Sequence, residues 1–214
     1  MLDLDGNILW GPSQPISSEK LQEIITNPIE QPRIIHESSF VNAMYSVLKR
    51  AAHIWRWPYA GARDAVMLLR EQIGDERIGV LTGRHESNLA RITYGQLNRL
   101  FGFGEDTQDN IFLRPPGYQR SSDWKLAKLL DLDEERKENS APIILIDNEV
   151  GLAARVASVA EKQNRNIYVI LKESYATTGK EEELLKLKNL RMYSDYNQWT
   201  DIINEIISDS QSRK

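Results

Sequence analysis

The sequence predicts an α/β protein built on a mostly parallel sheet with helices on both faces. Three observations predict it. Short apolar runs of strand length alternate with longer segments at helical spacing through residues 62–207. One of these runs, Pro142-Ile143-Ile144-Leu145-Ile146, is continuously apolar, the pattern of a strand covered on both faces. The runs also stop at polar residues: Asp3 and Asp5, Thr82, and Asp147. In open parallel sheets ligands bind outside the carboxyl ends of the strands, so these are candidate site positions.

Each element follows from local pattern. Leu2-Asp3-Leu4-Asp5-Gly6 reads as a strand end running into a glycine turn. Trp10 to Pro15 is loop, broken by Gly11, Pro12 and Pro15. Ser17 is a helix N-cap, and Asn27-Pro28 ends that helix. Val41, Met44, Tyr45, Leu48 and Ala52 predict a helix from Phe40 to about Trp55. A regular series then begins: a helix over 62–73, a strand over 77–81 closing at Thr82-Gly83-Arg84, and a helix over 87–101. It continues with a strand over 110–113, a helix over 121–132, the strand over 142–146, and a helix over 151–163. A strand over 166–171, a charged helix over 181–188, a strand over 190–193 and an amphipathic helix over 199–207 complete it. The irregular, aromatic-rich residues 10–59 read as a small cap-like insertion after the first strand, within a single domain spanning 1–214.

Composition narrows the function classes. The chain has 214 residues, 41% of them hydrophobic, and a net charge of -4, which is no footprint for general nucleic-acid binding. It has no cysteine, which excludes disulfides, thiolate nucleophiles and Cys-ligated metals. No apolar run reaches the length of a membrane span, and the N-terminus lacks the pattern of a signal peptide. The expectation is a soluble, cytoplasmic protein with no membrane partner.

The polar strand ends agree in chemistry. Carboxylates hold a hard divalent cation such as Mg²⁺. A hydroxyl beside backbone N–H groups, with a lysine, holds phosphate oxygens. A phosphoryl group so held, facing a carboxylate, is set for transfer to it. Leu-Asp-Leu-Asp-Gly-Asn at 2–7, Val-Leu-Thr-Gly-Arg at 80–84, Lys125 after Ser-Ser-Asp-Trp, and Ile-Ile-Leu-Ile-Asp-Asn-Glu at 143–149 stand in that order. Together they resemble the four ordered motifs of the haloacid dehalogenase-like (HAD-like) phosphatase superfamily. The resemblance covers the chain from Asp3 to about Val169.

The resemblance implies a Rossmann-like core and Mg²⁺-dependent phosphoryl transfer from a phosphorylated small-molecule substrate. It makes Asp3 the nucleophile that forms an aspartyl-phosphate. Asp5 protonates the leaving group and then activates water. Thr82, Gly83 and Lys125 bind the phosphoryl group. Asp3, the carbonyl of Asp5, and Asp147 bind Mg²⁺. The chain departs from the family pattern in three respects. Only Met1 and Leu2 precede Asp3, so the first strand is expected to be short, and the chain less stable than a version with about four to six further upstream apolar residues. Asn7 replaces a threonine or valine, and Asn148 and Gly151 stand where a second acidic residue is usual, with Glu149 as a substitute.

Two other readings remain open: a catalytically degenerate HAD-like binding protein, and a phosphatase of nucleic-acid ends resembling RNA-repair domains, which the acidic charge disfavours. Arg84 reads either as a substrate-anion contact or as a surface salt bridge. Lys128, one turn after Lys125, is its rival on the same helix. Trp55-Arg56-Trp57 reads as cap core or as a base-stacking platform, and His36, His53 and His85 read as surface histidines.

Overall fold

The computed structural model describes residues 1–9, 15–28, 56–118, 120–136 and 141–212. The expected helix over 40–55 and most of the cap-like insertion lie outside these residues. In chain order the elements are α1 (Ser18–Thr26), α2 (Ala62–Ile73), β1 (Val80–His85), α3 (Glu86–Phe101), β2 (Ile111–Arg114) and α4 (Ser121–Glu134). There follow β3 (Ile143–Asp147), α5 (Val150–Lys162), β4 (Ile167–Lys172), α6 (Glu181–Leu185), β5 (Leu190–Tyr193) and α7 (Trp199–Ser212). The class is α/β, with parallel strands flanked by helices, as in Rossmann-like folds. Among the described residues no helix is long and apolar enough to cross a membrane.

The chain divides into two compact units. One comprises Leu2–Gly11 and Pro32–Lys125. In it β1 pairs in parallel with β2, Val80 opposite Ile111 and Thr82 opposite Leu113. The register slips after Thr82 and resumes at His85 opposite Arg114. Leu2 bridges Val80 in parallel: its N–H donates to Gly79 O at 2.8 Å and its carbonyl accepts from Leu81 N at 2.9 Å. The expected strand over 77–81 therefore lies later than its apolar pattern suggests. Arg77 falls in a 3-10 turn, and Thr82, Gly83 and Arg84 lie within the strand. Helix α2 buries Ala62, Ala65, Val66 and Leu69, one apolar stripe, and stops where Gly74 takes φ 85°. Helix α3 buries Leu89, Leu97, Leu100 and Phe101, together with two polar side chains, Thr93 and Gln96.

The other unit comprises Met1, Pro12–Gln31 and Leu126–Lys214. Its sheet runs β3-β4-β5, all parallel, with Asp147 opposite Leu171 and Lys172 opposite Tyr193. Met1 joins β3 through its backbone: the terminal amine donates to Ile144 O at 2.5 Å and Ile146 N donates to Met1 O at 2.8 Å. Five successive residues of β4, Ile167 to Leu171, are buried, which accounts for its unbroken apolar sequence. Helix α5 packs on β4 and on α1. Ser17 caps α1 through Lys20 N, as its position predicts. At the other end of α1, Lys162 of α5 donates to Thr26 O at 2.5 Å and Arg155 donates to Pro28 O at 2.8 Å. The bond to Thr26 occupies a carbonyl that the helix terminus leaves without an intrahelical partner.

Candidate active site

The first motif folds as a tight turn. Gly6 takes φ 88°, a left-handed conformation that side chains resist, and its N–H donates to Leu9 O at 2.7 Å. Leu9 N closes the turn onto Leu4 O at 2.8 Å. Leu4, Ile8 and Leu9 are fully buried and anchor it. Leu9 also bridges Pro58, and Tyr59 N donates to Ile8 O at 3.1 Å. That pairing brings Arg56 beside the motif.

Asp3 and Lys125 meet in an ion pair, Nζ to Oδ1, at 2.7 Å. Only 4% of Asp3 and 3% of Lys125 is exposed, so both charges have left water. A buried pair of this kind adds little to stability over apolar packing, because desolvation offsets much of the attraction. Buried charges of this kind cluster where chemistry needs them. Lys128 stands one turn further along α4.

Thr82 and Gly83 lie on β1 in the same unit. Thr82 is buried, and its Oγ1 accepts from Arg84 N at 3.3 Å. A Cβ on Gly83 would lie 2.0 Å from Ser121 Oγ and 2.7 Å from Ser121 Cβ. The close approach that Gly83 permits is thus of Ser121, the first residue of α4. That contact sets the start of the helix that carries Lys125.

Arg84 is neither a surface salt bridge nor open to a passing anion. It is buried and forms a bidentate pair with Asp5, Nε to Oδ2 at 2.8 Å and Nη2 to Oδ1 at 2.7 Å. Its Nη1 donates to Gln96 Oε1 at 2.6 Å and to Thr93 Oγ1 at 3.3 Å. Arg56 adds a second guanidinium, Nη1 to Asp5 Oδ1 at 2.7 Å. Two guanidiniums thus grip one carboxylate. The sequence reading did not single out Thr93, Gln96 or Ser121. Thr93 and Gln96 did carry a signal: two polar residues at i and i+3 on the buried stripe of an amphipathic helix.

Asp147 belongs to the other unit, at the carboxyl end of β3. It is fully buried, and its Oδ1 accepts from Asn148 N at 2.7 Å and Glu149 N at 2.8 Å. The carboxylate therefore satisfies the turn that leads into α5. Glu149 is the N-cap residue of that helix, without a side-chain capping bond. His85 ends β1, Trp57 is largely exposed, and His36, His53 and Trp55 lie outside the described residues.

The donors expected for Mg²⁺ are all oxygens, the chemistry a hard cation selects. Among the described residues, no three His, Asp or Glu side chains gather as a metal centre. The expected set of two carboxylates and one carbonyl would not form such a group. Comparison with protein-family models, with curated proteins and with solved structures finds no match to this chain.

Proposed function

We propose that this chain is a Mg²⁺-dependent phosphatase of the HAD-like superfamily that transfers a phosphoryl group to Asp3. The observation that carries the reading is the buried Asp3–Lys125 ion pair. Two charged side chains from distant motifs, Asp3 and Lys125, meet in one unit, which also holds Thr82 and Asp5. In this reading an Asp3 carboxylate oxygen attacks phosphorus. Lys125 neutralises charge on the phosphoryl oxygens and orients Asp3. The Thr82 hydroxyl donates to a phosphoryl oxygen. Asp5 handles the protons of the leaving group and of the attacking water. Asp3 and the Asp5 carbonyl would hold Mg²⁺, which would supply positive charge to the phosphoryl group.

Phosphate release from p-nitrophenyl phosphate, with Mg²⁺ and then with EDTA, tests the reading. Metal-dependent release that Asp3→Asn abolishes supports it. Release unaffected by Asp3→Asn refutes it. A second reading is a HAD-like protein that binds a phosphorylated ligand without turning it over. One observation favours it: Asp5 is already gripped by Arg84 and Arg56. Ligand binding by calorimetry with no phosphate release would establish it instead.

A further inference from the structure

Arg84 and Arg56 both contact Asp5, and they differ in what else they can reach. Arg84 is committed: Nε and Nη2 hold the two Asp5 oxygens, and Nη1 donates to Gln96 and Thr93. Only 1% of its side chain meets solvent. Arg56 gives Nη1 to Asp5 Oδ1 at 2.7 Å, and 19% of its side chain stays in solvent, beside an Asp5 side chain that is 22% exposed. A guanidinium carries five N–H donors in a rigid fork, so one bond to Asp5 does not exhaust it. The backbone holds Arg56 in place. Leu9 bridges Pro58, and Tyr59 N donates to Ile8 O at 3.1 Å, which ties the segment carrying Arg56 to the turn carrying Asp5. Charge points the same way. Asp3 matches Lys125 and Asp5 matches Arg84, so Arg56 is the third cation among these five side chains. Asp3 and Lys125 are buried, and solvent meets the group at its Arg56–Asp5 edge.

Resting on the phosphatase reading, we propose that Arg56 is a specificity-determining residue that binds a second anionic group of the substrate, a carboxylate or a further phosphate, near the phosphoryl group that Asp3 receives. The substrate class is then a phosphomonoester with two anionic ends, such as a phosphorylated hydroxy acid or a bisphosphate. The planar fork of a guanidinium matches either anion through two parallel N–H bonds. A substrate with a neutral group at that end leaves the exposed part of Arg56 to water and gains nothing from it. Arg84 stays with Asp5 in both cases, because Gln96 and Thr93 hold it from behind.

The test is competition against p-nitrophenyl phosphate hydrolysis with Mg²⁺ in excess. The competitors are phosphoglycerate, propanediol bisphosphate and glycerol phosphate, each phosphorylated at a terminal carbon. At the far end the first carries a carboxylate and the second a phosphate, where glycerol phosphate carries a neutral hydroxymethyl group. At least one of the first two should inhibit at a concentration about tenfold or more below that of glycerol phosphate, the scale of one charge-assisted hydrogen bond. The tighter of the two identifies the second group. Arg56→Gln should erase the preference. Arg56→Lys keeps the charge and loses the fork, so it should narrow the preference without erasing it, and it serves if the Gln variant does not fold. A merely structural Arg56 would weaken all three competitors alike. Equal inhibition by all three in the wild type, or a preference that neither variant narrows, would overturn the assignment while leaving the phosphatase reading intact. No phosphate release from p-nitrophenyl phosphate would refute that reading, and this inference with it.

Discussion

Asp3 and Lys125 are buried partners at 2.7 Å, and each is the other's compensation for leaving water. Removing one charge takes its ion-pair partner from the other, at about 3–5 kcal/mol, whereas removing both together costs far less. Asp3→Asn should therefore abolish turnover and also lower the melting temperature. The double variant Asp3→Asn/Lys125→Met should recover stability without recovering activity. Thermal unfolding and phosphate release, measured on the same three proteins, check both halves. A double variant no more stable than Asp3→Asn would mean that the pair is not a closed electrostatic unit.

Gly83 is constrained by a neighbour rather than by its own dihedrals. Its Cβ position is 2.0 Å from Ser121 Oγ and 2.7 Å from Ser121 Cβ. Gly83→Ala must push β1 and the start of α4 apart, with a cost of about 1–3 kcal/mol for overpacking. Ser121→Ala should not rescue it, because the clash with Cβ remains. Ser121→Gly should rescue most of it. Urea midpoints of the single and paired variants decide the point.

Much of the fold was legible in pattern. The apolar run Pro142–Ile146 and the amphipathic spacing of 62–73 report directly on burial, and β3 and α2 formed there. The later start of β1 was not legible. It depends on pairing with β2 and on the slip between Thr82 and His85, which are partner properties and not local ones. In the site, the meeting of Asp3 with Lys125 could be anticipated from the motif order. The arrest of Asp5 by Arg84 and Arg56 could not. Arg56 reaches Asp5 because Leu9 bridges Pro58, which no periodicity encodes. Gln96 was visible only as a polar residue out of place on an apolar helix stripe.

Lys172 supplies a pH dependence. It lies half-buried at the end of β4, donates to the Tyr196 hydroxyl at 2.9 Å, and burial pushes its ammonium down from 10.5 to about 8. Between those values the unfolded chain binds more protons at this group than the folded chain does, so folding stability should rise as pH rises from about 8 to 10.5. Below about 8 both states are protonated and the contribution is flat. The side chain is half in solvent, so the effect is modest. Denaturant midpoints across this range should climb in the wild type, and Lys172→Met should remove part of the slope. An unchanged slope in the variant would assign it to other groups.

Asp147 serves the turn into α5 through one oxygen. Its Oδ1 accepts from the N–H groups of Asn148 and Glu149, with Asp147 and Asn148 themselves buried. Asp147→Ala removes the acceptor from both donors, and a buried group left unsatisfied costs about 1–3 kcal/mol. Asp147→Asn keeps a carbonyl oxygen for both donors, removes the charge and replaces the second oxygen by an amide NH₂. Asn should therefore lose less stability than Ala. Urea midpoints of the two variants and the wild type check it. Equal losses in Ala and Asn would mean that the charge, and not the Oδ1 acceptor, holds the turn.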